Sequence, residues 1–176
     1  STQFGSLTTD QVVALTTAQA KALGSLQARG LNSDQLGSLE TADLVQLGTA
    51  AVAALTTQAL TGLGSAQVRE LTTAQVAALT AGQAAGLTSD QTQYLTTADA
   101  RALGTGVVSQ LGTAAVAALT TDALAGLSTA GQAQALGSVQ VGALTTQQLT
   151  SLTTEQIGAL VSQGAVGLKS TQLGAL

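Results

Sequence analysis

Leucine recurs at every eighth residue along most of the chain. The spacing is eight from Leu7 to Leu127, one unit at 128–136 has nine residues, and the spacing of eight then resumes. The 176 residues thus divide into 22 units that each end in leucine: octad 1 is 1–7, octads 2–16 cover 8–127, octad 17 is 128–136, and octads 18–22 cover 137–176. A repeat that fills the chain predicts one continuous repeat domain over 1–176.

The leucine at position 8 of each octad is accompanied by a small or aliphatic residue at position 5, such as Val76 before Leu79. Residues three apart lie on one face of a helix, so both are expected to be buried. We expect the position-8 residues to form a structural core ladder: Leu15, Leu23, Leu31, Leu39, Leu47, Leu55, Leu63, Leu71, Leu79, Leu87, Leu95, Leu103, Leu111, Leu119, Leu127, Leu136, Leu144, Leu152, Leu160 and Leu168.

The polar positions predict one short helix in each octad. Position 1 is commonly Thr and position 4 is Gln in 14 octads, as in Thr72 and Gln75. Thr as the N-cap with Gln three residues later forms a capping box, and the leucine before the cap can pack against position 5. A continuous helix would turn its leucines around the rod, because eight residues rotate by about 800°. A β-solenoid is the alternative, since Thr and Val favour strands.

Two positions allow more than one interpretation. Position 1 is Gly in six octads, including Gly48 and Gly112, and we interpret these glycines as helix C′ residues, because Gly tolerates a positive φ. Position 2 is almost always Ser or Thr. Its hydroxyl is either the true cap or a group that bonds to backbone between coils.

The charges follow the same repeat. Four of the five bases lie at position 6, two acids lie at position 4, and five of the nine acids lie at position 3: Asp10, Asp34, Asp90, Asp122 and Glu155. Acids early and bases late in a unit complement a helix dipole. We interpret Glu40 and Asp43 as exposed first-turn acids, and we expect Tyr94, at position 7, to lie on the surface.

Short helices of this kind cannot bury enough apolar surface alone, so successive octads must stack into a solenoid. The pattern predicts an all-α solenoid with two, three or four helices per coil. The string GTAAVAALTT occurs at 48–57 and again at 112–121, an offset of 64 residues or eight octads. This offset favours two or four helices per coil.

Composition excludes several classes of function. The chain has no His, Cys or Met, its only aromatic residues are Phe4 and Tyr94, and charged residues make up 8%. Without His or Cys we expect no catalytic site, cofactor or metal site, and no calcium loop of the D-x-D-x-D type occurs. Five bases against nine acids argue against nucleic-acid binding, and the apolar runs are too short for membrane insertion.

The segment LTTAQVAAL at Leu71–Leu79 resembles the LTTxQ-type octapeptide arrays of large bacterial secreted and cell-surface proteins. The resemblance implies an extracellular or cell-surface location and a structural or adhesive role. Both terminal octads look like interior repeats, which indicates head-to-tail continuation or excision from a longer array. We therefore expect a self-associating, non-catalytic subunit or segment of a bacterial filament or adhesin stalk. The alternative is a binding module whose Thr/Ser ladders recognise ice or a surface polysaccharide.

Overall fold

A computed structural model of the chain describes residues 4–164 and 167–176, and it confirms the all-α prediction. Within this part of the chain there is no strand, so the β-solenoid alternative is not supported. The helices are α1 (Thr9–Val13), α2 (Thr17–Lys21), α3 (Ser25–Ala28), α4 (Ser33–Ser38), α5 (Thr41–Leu44), α6 (Thr49–Ala54), α7 (Thr57–Leu60), α8 (Ser65–Glu70), α9 (Thr73–Ala77), α10 (Ala81–Ala84), α11 (Ser89–Thr92), α12 (Thr97–Ala102), α13 (Thr105–Gln110), α14 (Thr113–Ala118), α15 (Thr121–Ala125), α16 (Ser138–Val141), α17 (Thr146–Thr150), α18 (Thr154–Gly164) and α19 (Ser170–Leu173), with a 3₁₀ turn at Phe4–Ser6.

Most octads form one helix that begins at position 2 and ends before the next cap. Helix α4, for example, is followed by Leu39 in an extended conformation (φ −66°, ψ 132°), and Glu40, the next N-cap, is also extended (φ −62°, ψ 146°). Two consecutive extended residues turn the chain through a corner. The leucine therefore points inward at the corner while the cap residue starts the next helix.

The interpretation of the position-1 glycines as C′ residues is wrong. Gly48 and Gly112 are N-caps with φ of −64°, and no glycine among the described residues has a positive φ. The corner is made by extended residues rather than by a left-handed one, so it requires no positive φ. Glycine is accepted here because it is a tolerable N-cap.

Three helices make one coil. Helices pack against the helix three octads later, as α3 against α6, α10 against α13, and α11 against α14. The expectation from the 64-residue duplication, two or four helices per coil, is therefore wrong. One coil corresponds to three octads, or 24 residues, and the corners of successive coils lie above one another.

Two octads depart from the regular unit. The nine-residue octad 17 contains a π-helical turn at Thr129–Ala133, in which the Ala133 N–H donates to the Ser128 carbonyl at 3.0 Å. A π turn accommodates one extra residue within the unit. Helix α18 does not stop at Leu160 but continues to Gly164. Its next cap position is Val161, which has no side-chain oxygen with which to begin a new helix.

The core runs along the axis of the solenoid. Of the predicted ladder, Leu15, Leu71, Leu87, Leu152 and Leu168 are half-buried and pack against the core, and the other fifteen leucines are buried. Position 5 lies beside them, with Leu36, Val76 and Leu124 at most 1% exposed. This apolar column holds the helix ends of neighbouring coils close together.

Candidate functional site

In most octads with Gln at position 4, the start of the helix is built as a capping box. In octad 10, the Thr72 hydroxyl accepts a hydrogen bond from the Gln75 backbone N–H at 3.2 Å, and the Gln75 Oε1 accepts one from the Thr72 N–H at 3.0 Å. The two residues thereby bond two of the N–H groups that a helix start leaves without a partner. Position 1 is thus the true N-cap, as predicted.

The same glutamine also reaches the coil below. The Nε2 of Gln75 donates to the carbonyls of Leu44 at 2.8 Å and Leu47 at 3.0 Å, at the end of the helix four octads earlier. The Leu44 carbonyl also accepts from the Leu47 N–H, but Gln75 is the only donor to the Leu47 carbonyl among the described residues. One amide therefore joins the start of one helix to the end of another.

This arrangement repeats along the solenoid and forms a buried glutamine ladder. Each of its members is at most 7% exposed, and each donates to one or more carbonyls of the octad four units earlier: Gln35, Gln67, Gln75, Gln83, Gln91, Gln132, Gln140, Gln148, Gln156 and Gln172. Among the described residues, no buried side-chain nitrogen or oxygen lacks a hydrogen-bond partner. The ladder thus satisfies its polar groups completely.

The extra residue of octad 17 does not break the ladder. Its π turn places Gln132 so that Nε2 donates to the carbonyls of Ala100 at 2.7 Å and Leu103 at 2.6 Å. The insertion is therefore absorbed inside the helix, and the amide keeps the partners that it has in other octads.

Some octads lack this glutamine. We call the octads from 40 to 63 and from 96 to 127 amide-free octads, because they carry Asp, Ala or Val at position 4. The residues at this position are Asp43, Ala51, Ala59, Asp99, Val107, Ala115 and Ala123. These side chains are buried in the same place as the glutamines. We call the octads whose glutamine bonds the coil below amide-bonded octads, and they include the block at 64–95 and the block at 128–160.

Helices lie closer together where the glutamine is absent. The most extensive contacts are those of α6, α13 and α14, all in amide-free octads, with α3, α10 and α11. An added Cβ at Gly62, also in an amide-free octad, would overlap the Ser33 carbonyl oxygen. The long amide acts as a spacer between helices, and its absence lets the backbones approach.

The sequence interpretation of Asp43 as exposed is wrong. Asp43 is 3% exposed and Asp99 4%, whereas Glu40 is exposed as predicted. Both aspartates occupy position 4, which points into the junction between coils. The Asp99 carboxylate accepts from the Thr96 N–H at 3.0 Å and from the Thr96 hydroxyl at 2.7 Å, so it completes its own cap without bonding the coil below.

Among the position-2 residues whose side chains the structure describes, the hydroxyl bonds between coils in two octads. Ser25 Oγ donates to the Ala50 carbonyl at 3.0 Å, and Thr97 Oγ1 donates to the Asp122 carbonyl at 3.2 Å. Of the two interpretations left open by the sequence, these contacts support the one in which the hydroxyl binds backbone of the next coil.

Tyr94 is only partly on the surface, where the sequence predicts it to lie. It is half-buried against the core, and the Arg69 guanidinium lies 4.4 Å from the centroid of its ring. Arg69 is at position 6, and Tyr94 is at position 7 three octads later. Position 7 faces the previous coil, which a repeat of eight residues does not reveal without the number of helices per coil.

The core of the solenoid contains a small apolar cavity. A cavity of about 20 Å³ lies among leucines next to Thr92, which is fully buried and donates to the Ala115 carbonyl at 2.8 Å. Such a volume is enough for about one water molecule. Within the described ranges no group of three acids could hold a metal ion, and no helix there is long and apolar enough to span a membrane.

Two segments of the chain, residues 36–73 and 94–129, match the sequence model of the ALTTAQ repeat family. Together the two matches cover less than half of the chain, and both segments are similar to ALTTAQ repeats. Residues 14–19 spell the motif in full, although they lie outside the two matches. In structural terms the ALTTAQ motif comprises the core leucine, the threonine N-cap and the ladder glutamine. No curated protein and no solved structure matches the chain.

Proposed function

We propose that this array of ALTTAQ-like repeats is a structural rod without catalytic activity, and that it serves as a subunit or segment of an extracellular bacterial filament or adhesin stalk. The observation that carries the proposal is the glutamine ladder. The ladder glutamines are the most regular polar residues of the chain, and their amide groups bond backbone carbonyls of the neighbouring coil. A protein whose polar groups bond its own repeats is suited to setting a length and transmitting a load.

The dimensions agree with such a role. At three octads per coil, the 22 octads make about seven coils, and helix layers spaced by about 9 Å would give a rod of about 60 Å. A compact domain of this chain length has a radius of gyration of about 16 Å. A rod of this length is expected to exceed that value by several ångströms in small-angle X-ray scattering.

The alternative of a binding module for ice or polysaccharide has less support. It requires free hydroxyls in rows, but the hydroxyls of Ser25 and Thr97 are bonded to the next coil. The location outside a bacterial cell rests on the resemblance to surface arrays. A glycan pull-down and a thermal-hysteresis assay would show the binding module if it exists.

Deletion of one whole coil tests the proposal directly. Removing residues 72–95 takes out three octads and keeps the phase of the repeat, so the shortened rod is expected to fold and to lose about 9 Å of length. Removing residues 72–75 alone shifts the phase and is the matched control, which we expect to melt at a lower temperature. A whole-coil deletion that unfolds the chain, or a compact wild type, would contradict the proposal.

A further inference from the structure

The small cavity in the core of the solenoid has an entirely apolar surface. It has a volume of about 20 Å³, and most of its wall consists of leucine and valine at positions 5 and 8 of the octads between 40 and 95. Leu60, Leu63, Val52 and Val68 belong to this wall, and each of them is at most 6% exposed. The cavity is therefore a part of the core column rather than a groove of the outer surface.

The two polar residues beside the cavity use their hydrogen-bonding groups elsewhere. The Gln91 Nε2 donates to the carbonyls of Leu60 at 2.6 Å and Leu63 at 3.0 Å, and its Oε1 accepts from the backbone N–H of its own N-cap at 3.0 Å. The Thr92 hydroxyl donates to the Ala115 carbonyl at 2.8 Å. A buried water molecule needs about two to four polar partners, and the surface of this cavity presents none. A water molecule placed here would leave its hydrogen bonds unmade.

We propose that the cavity is a binding site for one small apolar guest, such as a xenon atom or a molecule of methane. The wall atoms that face the empty space lack the dispersion contacts that close-packed core atoms have. A guest without hydrogen-bonding groups restores these contacts and loses no hydrogen bond when it leaves water. The volume limits the guest to one atom or a very small molecule. This inference concerns the core alone and goes beyond the proposed function.

Two leucines of the cavity wall also reach the solvent. Leu71 and Leu87 line the cavity and are half-buried, whereas Leu55, Leu79 and Leu95, at the same position of neighbouring octads, are buried. Partly exposed side chains change rotamer within nanoseconds. We therefore expect a guest to enter past Leu71 or Leu87 without unfolding of a coil.

The first test uses xenon as the guest and isotope-labelled leucine and valine methyl groups as the reporters. Rising xenon pressure is expected to shift the methyl resonances of Leu60 and Val68, and these shifts should level off as the site fills. Leu149, which is 1% exposed and lies outside the cavity, should not shift. Val139, which is 73% exposed, should shift slightly and without levelling off. Helium at the same pressure is the control for pressure itself.

The second test fills the cavity by substitution. Val68→Ile adds one carbon atom at the wall and is expected to abolish the saturable xenon shifts, while the melting temperature stays the same or rises. Val116→Ile is the matched control, because it makes the same change at a fully buried position outside the cavity. The control is expected to keep the xenon shifts and to lower the melting temperature through overpacking.

The proposal is overturned if the wall methyl groups do not respond to xenon, or if all methyl groups respond equally. Nuclear Overhauser effects between water and the wall methyl groups would also overturn it, because they would show a hydrated cavity. Saturable shifts that persist in Val68→Ile would place the guest elsewhere. None of these results changes the scattering length of the rod, so the failure of this site is distinguishable from the failure of the proposed function.

Discussion

The amide-bonded octads at 64–95 and the amide-free octads at 96–127 share one backbone repeat but join their coils differently. In the former, Gln75 and its equivalents bond the ends of helices in the coil below. In the latter, Val107, Ala115 and Ala123 are buried in the same position and make no such bond. The comparison teaches that one solenoid can use two kinds of junction without changing its three-helix coil.

The difference lies in how backbone groups are satisfied and how closely helices pack. An amide bonds a cap N–H and two carbonyls but holds the helices apart. Small side chains give up those bonds and gain contact between backbones. Among the described residues, one buried hydroxyl, that of Thr92, bonds the Ala115 carbonyl across the amide-free junction, where no glutamine reaches.

Removing a ladder glutamine is expected to have the largest effect. Gln75→Leu leaves the Leu47 carbonyl and the Thr72 N–H without their partner in a buried junction, so the free energy of unfolding should fall by about 3–4 kcal/mol. Urea unfolding followed by far-ultraviolet circular dichroism measures the loss.

The matched control is Gln19→Leu, which removes the same cap where no coil lies beneath. Only the capping contribution is lost, so a decrease of about 0.5–1 kcal/mol is expected. Equal losses at the two positions would show that the glutamines act as caps alone.

The close approach of the amide-free octads can be tested at Gly62. In Gly62→Ala the new Cβ would overlap the Ser33 carbonyl oxygen, and separating the two helices should lower the free energy of unfolding by about 2–3 kcal/mol. Gly158→Ala is the control, because Gly158 lies inside α18 with nothing within 4 Å of the added atom. That variant should gain about 0.5–1 kcal/mol from helix propensity, and a neutral Gly62→Ala would mean that the junction is not tightly packed.

The local structure could be predicted from the sequence because its signals lie within one octad. The Thr–Gln pair three residues apart fixes the cap, and the leucine seven residues after the N-cap fixes the core face. The ladder could not be predicted in the same way, since its bonds join residues 28 and 31 apart, such as Gln75 with Leu47 and Leu44. That separation depends on the number of helices per coil.

A signal for the ladder was nevertheless present. Position 4 is Gln in 14 octads and never Glu, although either residue completes a capping box. Only the amide also donates hydrogen bonds, so the strict preference indicates a second partner. The 64-residue duplication reflects the alternation of amide-bonded and amide-free blocks, since both copies of GTAAVAALTT lie in amide-free octads. The duplication therefore carries no information on the number of helices per coil.

An amide-free octad can be converted toward the amide-bonded kind at Asp99. In Asp99→Gln the Nε2 group would face the carbonyls of Val68 and Leu71, which occupy the positions that other ladder amides bond, and the free energy of unfolding should rise by about 1 kcal/mol. Thermal unfolding measures the change. Asp99→Asn is the control, because its shorter amide keeps the cap without reaching the coil below. A destabilised Asp99→Gln would show that the closer helix spacing excludes the longer side chain.

The smallest expected change in the free energy of unfolding comes from the loss of the contact between Arg69 and Tyr94. Arg69 lies over the Tyr94 ring at 4.4 Å, and an exposed cation–π pair contributes about 0.5 kcal/mol. A double-mutant cycle of Arg69→Ala and Tyr94→Leu should give a coupling of that size, whereas Arg29→Ala with Tyr94→Leu should be additive because the two residues are far apart in the array. A coupling of zero in the first cycle would assign the burial of Tyr94 to apolar packing alone, and Arg69 would then have no part in joining its coil to the next.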